Sequence, residues 1–281
     1  MIGSEPNQPP GDGATNGVRT LVDPLAEALR LIELAGERRM TVRLMGGLAF
    51  HAQAPEWRAR TLREGRDIDL AIRGADRGRL IELLAVEGYT PDREYNALYG
   101  HKQLYFVDVP RRRPVDVLVD RLEMCHRFDF GGRLAFGSPT LPLAELLLSK
   151  LQIVKINRKD VLDALVLLAE HPLAEDDGTG ASSDARAAIN VRRITELTSS
   201  DWGLWRTVTH NLQRLRAFLE VELGPDDLDV GRPPRFDPAA QLNWLEEAID
   251  VGEKSVRWRM RAAVGERIRW YEEPEEVRHG D

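Results

Sequence analysis

The chain has 281 residues, a formal net charge of −7 and a sequence pI near 5.5. That length supports one large or two modest domains with an ordinary core, and an acidic balance argues against non-specific binding to nucleic acid. Cys125 is the only cysteine, which excludes an intrachain disulfide and a multi-cysteine zinc site; no stretch reaches the roughly 20 apolar residues of a membrane span.

Residues 1–18 are rich in Gly, Pro, Asn and Asp without an apolar period, and read as a disordered start. They hold no basic-then-apolar run, so no secretory signal is expected and a cytoplasmic location is. Asp23-Pro24 supplies an N-cap and first-turn proline for a helix. Its apolar stripe is Leu25, Ala28, Leu29, Ile32 and Ala35, widened by Leu31 and Leu34. Val42 to Met45 reads as a short strand, followed by Gly46-Gly47 and a helix from Leu48.

An Arg-rich segment, 56–66, precedes a strand at Asp67–Ile72. A helix follows over about 76–87, with Leu80, Ile81, Leu83, Leu84 and Val86 as its apolar face. Strands Leu104–Val109 and Val115–Val119 flank a hairpin turn at Pro110–Pro114, and helices follow over about 142–155 and 158–170. The order α-β-α-β-α-β-β-α-α predicts an α+β fold: a mixed β-sheet with flanking helices, over 19–175. Residues 176–188 read as a linker, 189–272 as a helical C-terminal region and 273–281 as a charged tail. Helices are predicted there over about 189–198, 201–222 and 238–270, carrying Trp202, Trp205, Trp244 and Trp258 as core aromatics.

The chemistry concentrates in three places. Side chains two apart on a strand share a face, so Asp67 and Asp69 project together while Ile68 and Leu70 bury the other face. Two carboxylates so placed repel unless a cation sits between them, and all-oxygen ligation suits Mg²⁺ or Mn²⁺. A third carboxylate comes from Asp116 in Val115-Asp116-Val117 or from Asp108, Asp116 being preferred for its more apolar strand. Strand, Gly46-Gly47, helix is a layout that presents backbone N–H groups to a phosphate. No Walker-type GxxxxGK[ST] and no GxGxxG is present. His51, His101 and His126 lack metal-ligand spacing. Arg58, Arg60, Arg63, Arg66 and Arg111 to Arg113 read as solvated loop charge before they read as an RNA grip.

Met45-Gly46-Gly47, then Asp67-Ile68-Asp69-Leu70, then Val115-Asp116-Val117 resembles the nucleotidyltransferase superfamily. That superfamily includes DNA polymerase β, the minimal nucleotidyltransferases and the AbiEii-type toxin enzymes. "SKLQIVKINRKDVLDALVLL" is similar to the AbiEii-like element in which a helical lysine precedes a Lys-Asp-x-x-Asp helix, here Lys150 or Lys155 ahead of Lys159-Asp160 and Asp163. The likeness spans about residues 25–170. It departs in the long interval 48–66 and in glycine at position 47, where many members have serine. It implies Asp67, Asp69 and Asp116 as ligands of Mg²⁺ or Mn²⁺ and as the catalytic set. It also implies Gly46, Gly47 and Lys150 or Lys155 as nucleotide contacts, and an NTP as donor. The acceptor stays open among tRNA, protein and a small molecule, as does an antitoxin partner. A non-catalytic nucleotide-binding or interaction module with the same fold is the competing reading.

Overall fold

The computed structural model describes residues 19–55, 57–59, 67–177, 187–224, 228–230 and 233–273. Helix α1 (Pro24–Glu37) starts where Asp23 accepts a hydrogen bond from the Ala26 N–H at 2.7 Å, with Pro24 in the first turn. It buries Ala28, Leu31 and Ala35, whereas Leu29, expected on the buried stripe, is exposed. Glu27, also buried, accepts from Arg30, from the Leu21 N–H and from the Tyr89 hydroxyl. Burial alone would raise its pKa; these donors outweigh burial and lower it.

The first half continues as β1 (Val42–Met45), α2 (Gly46–Gln53), β2 (Trp57–Ala59), β3 (Ile68–Ile72), α3 (Arg77–Val86), β4 (Thr90–Pro91), α4 (Arg93–Tyr99), β5 (Gln103–Asp108) and β6 (Arg113–Val119). Five of these strands form one sheet in the order β1-β3-β6-β5-β4. Only β3 and β6 are parallel; every other neighbouring pair is antiparallel. Alternation sets the faces: Val115, Val117 and Val119 are buried while Pro114, Asp116 and Leu118 are less so. In α3, Val86 is exposed, contrary to the face read from its sequence.

A small hairpin, β7 (Arg121–Glu123) and β8 (Arg127–Asp129), leads into α5 (Leu143–Leu151) and α6 (Arg158–Glu170). Residues 160–170 of α6 are buried throughout, because α6 has α2, α5 and the later helices Trp202–Ala217 and Pro238–Val251 around it. Short β9 (Leu173–Ala174) and β10 (Ile189–Asn190) pair in parallel. Helices α7 (Val191–Ser200) and α8 (Trp202–Ala217) follow, then β11 (Leu228–Val230), which pairs with β2, and finally α9 (Pro238–Val251) and α10 (Val256–Val264).

The expected mixed sheet with flanking helices and a helical C-terminal region is therefore present. One hydrophobic cluster runs from Ala28 in α1 to Ile249 in α9, so the C-terminal helices complete the same core. Glu145 of α5, fully buried, ties the halves together by accepting from Arg133 at 3.0 Å and Arg193 at 2.9 Å. The expected segments 1–18 and 274–281, and most of the expected linker, lie outside the described residues.

Four boundaries differ from the sequence reading, the first being the helix expected over about 142–155, which ends at Leu151. The helix expected over 238–270 is two helices. Gly252 ends the first, where a Cβ would come within 2.5 Å of Thr195, and Ser255 caps the second by accepting from the Trp258 N–H. The helix expected to end near 222 closes in a π turn at Phe218–Glu222. The β5–β6 turn spans Val109–Arg111, with Arg112 left-handed at φ 50°, and Pro114 lies inside β6.

That turn also decides what Asp108 does. Asp108 and Arg113 are both buried and form an ion pair at 2.7 Å, with Arg111 at 3.9 Å from the same carboxylate. Removing one member of a buried pair leaves the other charge uncompensated and costs about 3–5 kcal/mol. Arg113→Met is therefore expected to lower unfolding free energy by about that amount in urea titration. A loss below about 1 kcal/mol would place this pair in the weak class of surface salt bridges.

Candidate functional site

The site is a row of residues across the sheet. Register pairs Met45 of β1 with Asp69 of β3, Asp69 with Asp116 of β6, and Asp116 with Tyr105 of β5. Directly paired positions on neighbouring strands lie about 5 Å apart, so the two carboxylates stand side by side. They line a cavity of about 600 Å³, together with Gly46, Gln103, Lys150 and Asp160.

Gly46 is there for a steric reason. Its φ is +62°, and a Cβ on it would fall 1.8 Å from Asp69 Oδ2. Only glycine lets β1 turn into α2 with the carboxylate against the backbone. Helix α2 begins with no side-chain cap, since Met45 occupies that position. Its first N–H groups thus keep their capacity for a ligand.

The electrostatics of Asp69 follow from this crowding. Burial, then the charges of Asp116 and Asp67, push its pKa up to about 7, against the pull of Lys150 and Lys159. No donor among the described residues hydrogen-bonds the Asp69 carboxylate. Asp116 differs, because Gln103 Nε2 donates to its Oδ1 at 2.6 Å and fixes its orientation. Burial, followed by the Asp116 and Asp67 charges, also raises Tyr105.

Asp67 is exposed just ahead of β3 and does not line the cavity. Among the described residues no three acidic, histidine or cysteine side chains form a closed metal cage. Two adjacent carboxylates, one of them half-buried and short of donors, nonetheless suit a hard divalent cation that takes its other ligands from water or substrate phosphate. The all-oxygen donor set fits Mg²⁺ or Mn²⁺.

Of the two candidate lysines, the structure brings only Lys150 to the cavity; Lys155 is exposed in the turn after α5. Lys150 Nζ sits 2.7 Å from Asp160 Oδ1 and 2.9 Å from Asp163 Oδ2, 5.3 Å from the centre of the Phe50 ring. Burial would lower its pKa, but the two carboxylates overcome burial and raise it. Lys159, although exposed, is close enough to act on both Asp69 and Asp163.

Other sequence candidates fall away from the site. Arg111 holds the Thr20 carbonyl and Arg113 the Asp108 carboxylate, so neither is loop charge open to RNA. Side chains of Arg58, Arg60, Arg63 and Arg66 lie outside the described residues. His126 is buried and hydrogen-bonded to Thr207 at 2.8 Å.

The sequence reading missed Gln103, Tyr95, Tyr99 and Lys102 on the cavity wall. Tyr95 and Tyr99 stack at 4.9 Å, and Lys102 lies 5.3 Å from the Tyr99 ring centre. Their only signal was Tyr-x-x-x-Tyr, one helical turn on α4.

Two outcomes follow from Asp69 and Gly46. A carboxylate with an ordinary pKa near 4 that titrates near 7 in the fold binds a proton only in the native state between those values. Stability from this group therefore falls as pH rises from about 4 to about 7. Asp69→Asn should match wild type near pH 4 and exceed it by about 2–4 kcal/mol at pH 8. At pH 8, Mg²⁺ should raise the melting temperature of wild type and not of the variant. Parallel pH profiles would show that Asp69 is not strained by its neighbours. Gly46→Ala should cost about 1–3 kcal/mol in chemical denaturation. Gly36→Ala, with open space around it in α1, should gain about 0.4–1 kcal/mol.

Comparison with known proteins adds little. No protein-family model and no curated protein matches the chain. One similar solved structure is the STING-associated CdnE c-di-GMP synthase from Capnocytophaga granulosa, at 14% identity and a TM-score of 0.24, covering 85% of this chain and 83% of that chain. Likeness at that level assigns neither chemistry nor substrate to this protein.

Proposed function

We propose that this cavity catalyses metal-dependent transfer of a nucleoside monophosphate from an NTP to a hydroxyl acceptor. The observation that carries the reading is the in-register pair Asp69–Asp116 on adjacent parallel strands, backed by a glycine whose Cβ would displace one carboxylate. Asp69 and Asp116 would hold a divalent cation, with Asp67 as the exposed third carboxylate beside them. Such an ion, when bound, lowers the pKa of an acceptor hydroxyl and offsets triphosphate charge.

The chain's own groups have definable tasks. Gly46 and Gly47 open α2 and offer uncapped N–H groups to phosphate oxygens. Lys150 adds a fixed positive charge, held by Asp160 and Asp163 so that it cannot swing away. Gln103 donates to Asp116 Oδ1 at 2.6 Å and steadies the carboxylate, which would ligate the cation or accept the proton of the acceptor hydroxyl. A protonation equilibrium near neutrality at Asp69 couples nucleotide-site charge to pH.

A non-catalytic nucleotide-binding module has one feature in its favour: Asp67 does not line the cavity. The deciding experiment incubates the protein with each α-labelled NTP, Mg²⁺ or Mn²⁺, and tRNA, cell protein, a metabolite extract or the protein alone. Wild type should transfer label, and Asp116→Asn, folded to the same melting temperature, should lose at least about 100-fold in rate, as expected for loss of a group that stabilises transition-state charge. Equal labelling by Asp116→Asn would remove Asp116 from the mechanism. NTP binding with no transfer to any acceptor would favour the module.

A further inference from the structure

A second cavity, of about 610 Å³, lies where the β7–β8 turn meets α8, α10 and the segment after α10. Its walls differ in kind from those of the carboxylate cavity. Trp202, Trp258 and Trp270 contribute rings, and Arg257, Arg261 and Arg269 contribute guanidinium groups. In a chain of net charge −7 this is a local reversal of sign.

The rings are held rigidly. Trp270 meets Trp202 edge to face at 6.1 Å, and Trp258 meets Trp205 edge to face at 5.1 Å. Trp270 Nε1 donates to the Thr207 hydroxyl at 3.2 Å, and that hydroxyl lies 2.8 Å from His126 Nε2. Burial lowers the His126 pKa to about 4, so near neutral pH its ring is uncharged and shares one hydrogen bond with the Thr207 hydroxyl. Trp270 is thereby fixed from behind.

Four arginines line the cleft; Arg127 is paired with Glu123 at 3.3 Å, and the other three are not equivalent. Arg261 lies 4.8 Å from the Trp202 ring centre and spends its N–H groups on the Gly265 and Ile268 carbonyls. It holds the wall. Arg257 is exposed and has no hydrogen bond or ion pair among the described residues. Arg269 is paired with Glu273 and stacked on Tyr271, both near the surface. Of the two acidic residues lining the cleft, Asp201 is occupied capping α8 through the Leu204 N–H; Glu272 borders both cavities.

Indole rings beside the exposed Arg257, and beside an Arg269 whose partners Glu273 and Tyr271 lie at the surface, match a ligand with a flat π surface and an anionic end that competes for Arg269. We propose that this cleft is a second nucleotide-binding site, taking a base against the indoles and a phosphate on Arg257 and Arg269. Stacking on aromatic rings tolerates any base, and an arginine fork grips phosphate by charge-assisted hydrogen bonds. The volume falls in the range of small-ligand sites. Both a free nucleotide and the 5′ end of an RNA strand present this chemistry. The site does not depend on transfer activity in the carboxylate cavity.

The test is calorimetry and tryptophan fluorescence on the full chain in EDTA, which removes divalent cations from the carboxylate cavity. Probes are AMP, GMP, CMP, UMP and a short 5′-phosphorylated oligoribonucleotide. At least one probe should bind and quench fluorescence. R257A/R269A, with unchanged melting, should weaken it by about tenfold, and Asp116→Asn should not. Should the double variant melt early, Arg257→Ala alone serves, with a loss of about fivefold or more expected. Tighter binding of the oligonucleotide assigns the ligand to a strand end, and equal binding to a free nucleotide. Absence of binding by every probe, binding that survives the arginine variants, or binding lost in Asp116→Asn would each overturn the proposal.

Discussion

The parallel register of β3 and β6 is the constraint on which the candidate site depends. It sets Asp69 opposite Asp116, and a slip of one residue in either strand would turn that strand's carboxylate to the other face and separate the pair. Two charges about 5 Å apart at an effective dielectric near 20 repel by roughly 3 kcal/mol. The same register buries Ile68, Leu70, Ile72, Val115, Val117 and Val119, each worth about 1.5–3 kcal/mol. Burial on one face therefore outweighs repulsion on the other. The strands are pinned by their apolar side, and the acidic side must accept what that pinning imposes.

What the acidic side accepts is visible in its neighbours. Met45 stands beside Asp69 in the row and offers it no charge, while the next residue, Gly46, removes every atom that would push it away. The nearest buried cation, Lys150, is already shared between Asp160 and Asp163. A single ammonium beside two carboxylates leaves no surplus positive charge for the Asp69–Asp116 pair. Burial first, and then the unbalanced charges of Asp116 and Asp67, raise the pKa of Asp69. A divalent cation corrects that imbalance with one ion, whereas a protein side chain would need room that Gly46 and Asp69 have already taken.

Much of this was legible in the sequence because it is local. Val-Asp-Val gives a carboxylate opposite a buried face, whereas the shared face expected of Asp67 and Asp69 is not seen at the cavity, because β3 begins at Ile68 and Asp67 is exposed ahead of it. Asp116 is preferred over Asp108 for its more apolar strand, but what Asp108 does instead needs its partner Arg113, which the turn brings back across the hairpin; strand register is a tertiary fact. Helix α4 escaped because seven residues are too few for a 3.6 period to declare itself, and with it went Tyr95 and Tyr99. The break at 252–255 was hidden for a different reason. Val256 to Val264 continues a helical pattern, and only the approach of Gly252 to Thr195 shows why the chain turns there. The tryptophans were read as core. Trp202 is buried as expected, whereas Trp244 is 43% exposed, and the ring cluster around Trp202 joins α8, α10 and residue 270 from distant parts of the chain.

Net charge conceals how unevenly charge is distributed. One cavity gathers carboxylates from two interior strands of the sheet, and the other gathers guanidinium groups around indoles, with Glu272 on the border between them. A polyphosphate approaching the first cavity meets like charge within the Debye length of about 8 Å at physiological salt, so its entry depends on the cation it brings. A nucleotide approaching the second meets opposite charge and needs none. The two proposed sites would thus separate by their response to divalent metal, and that separation would come from the placement of side chains rather than from any overall excess of acid or base.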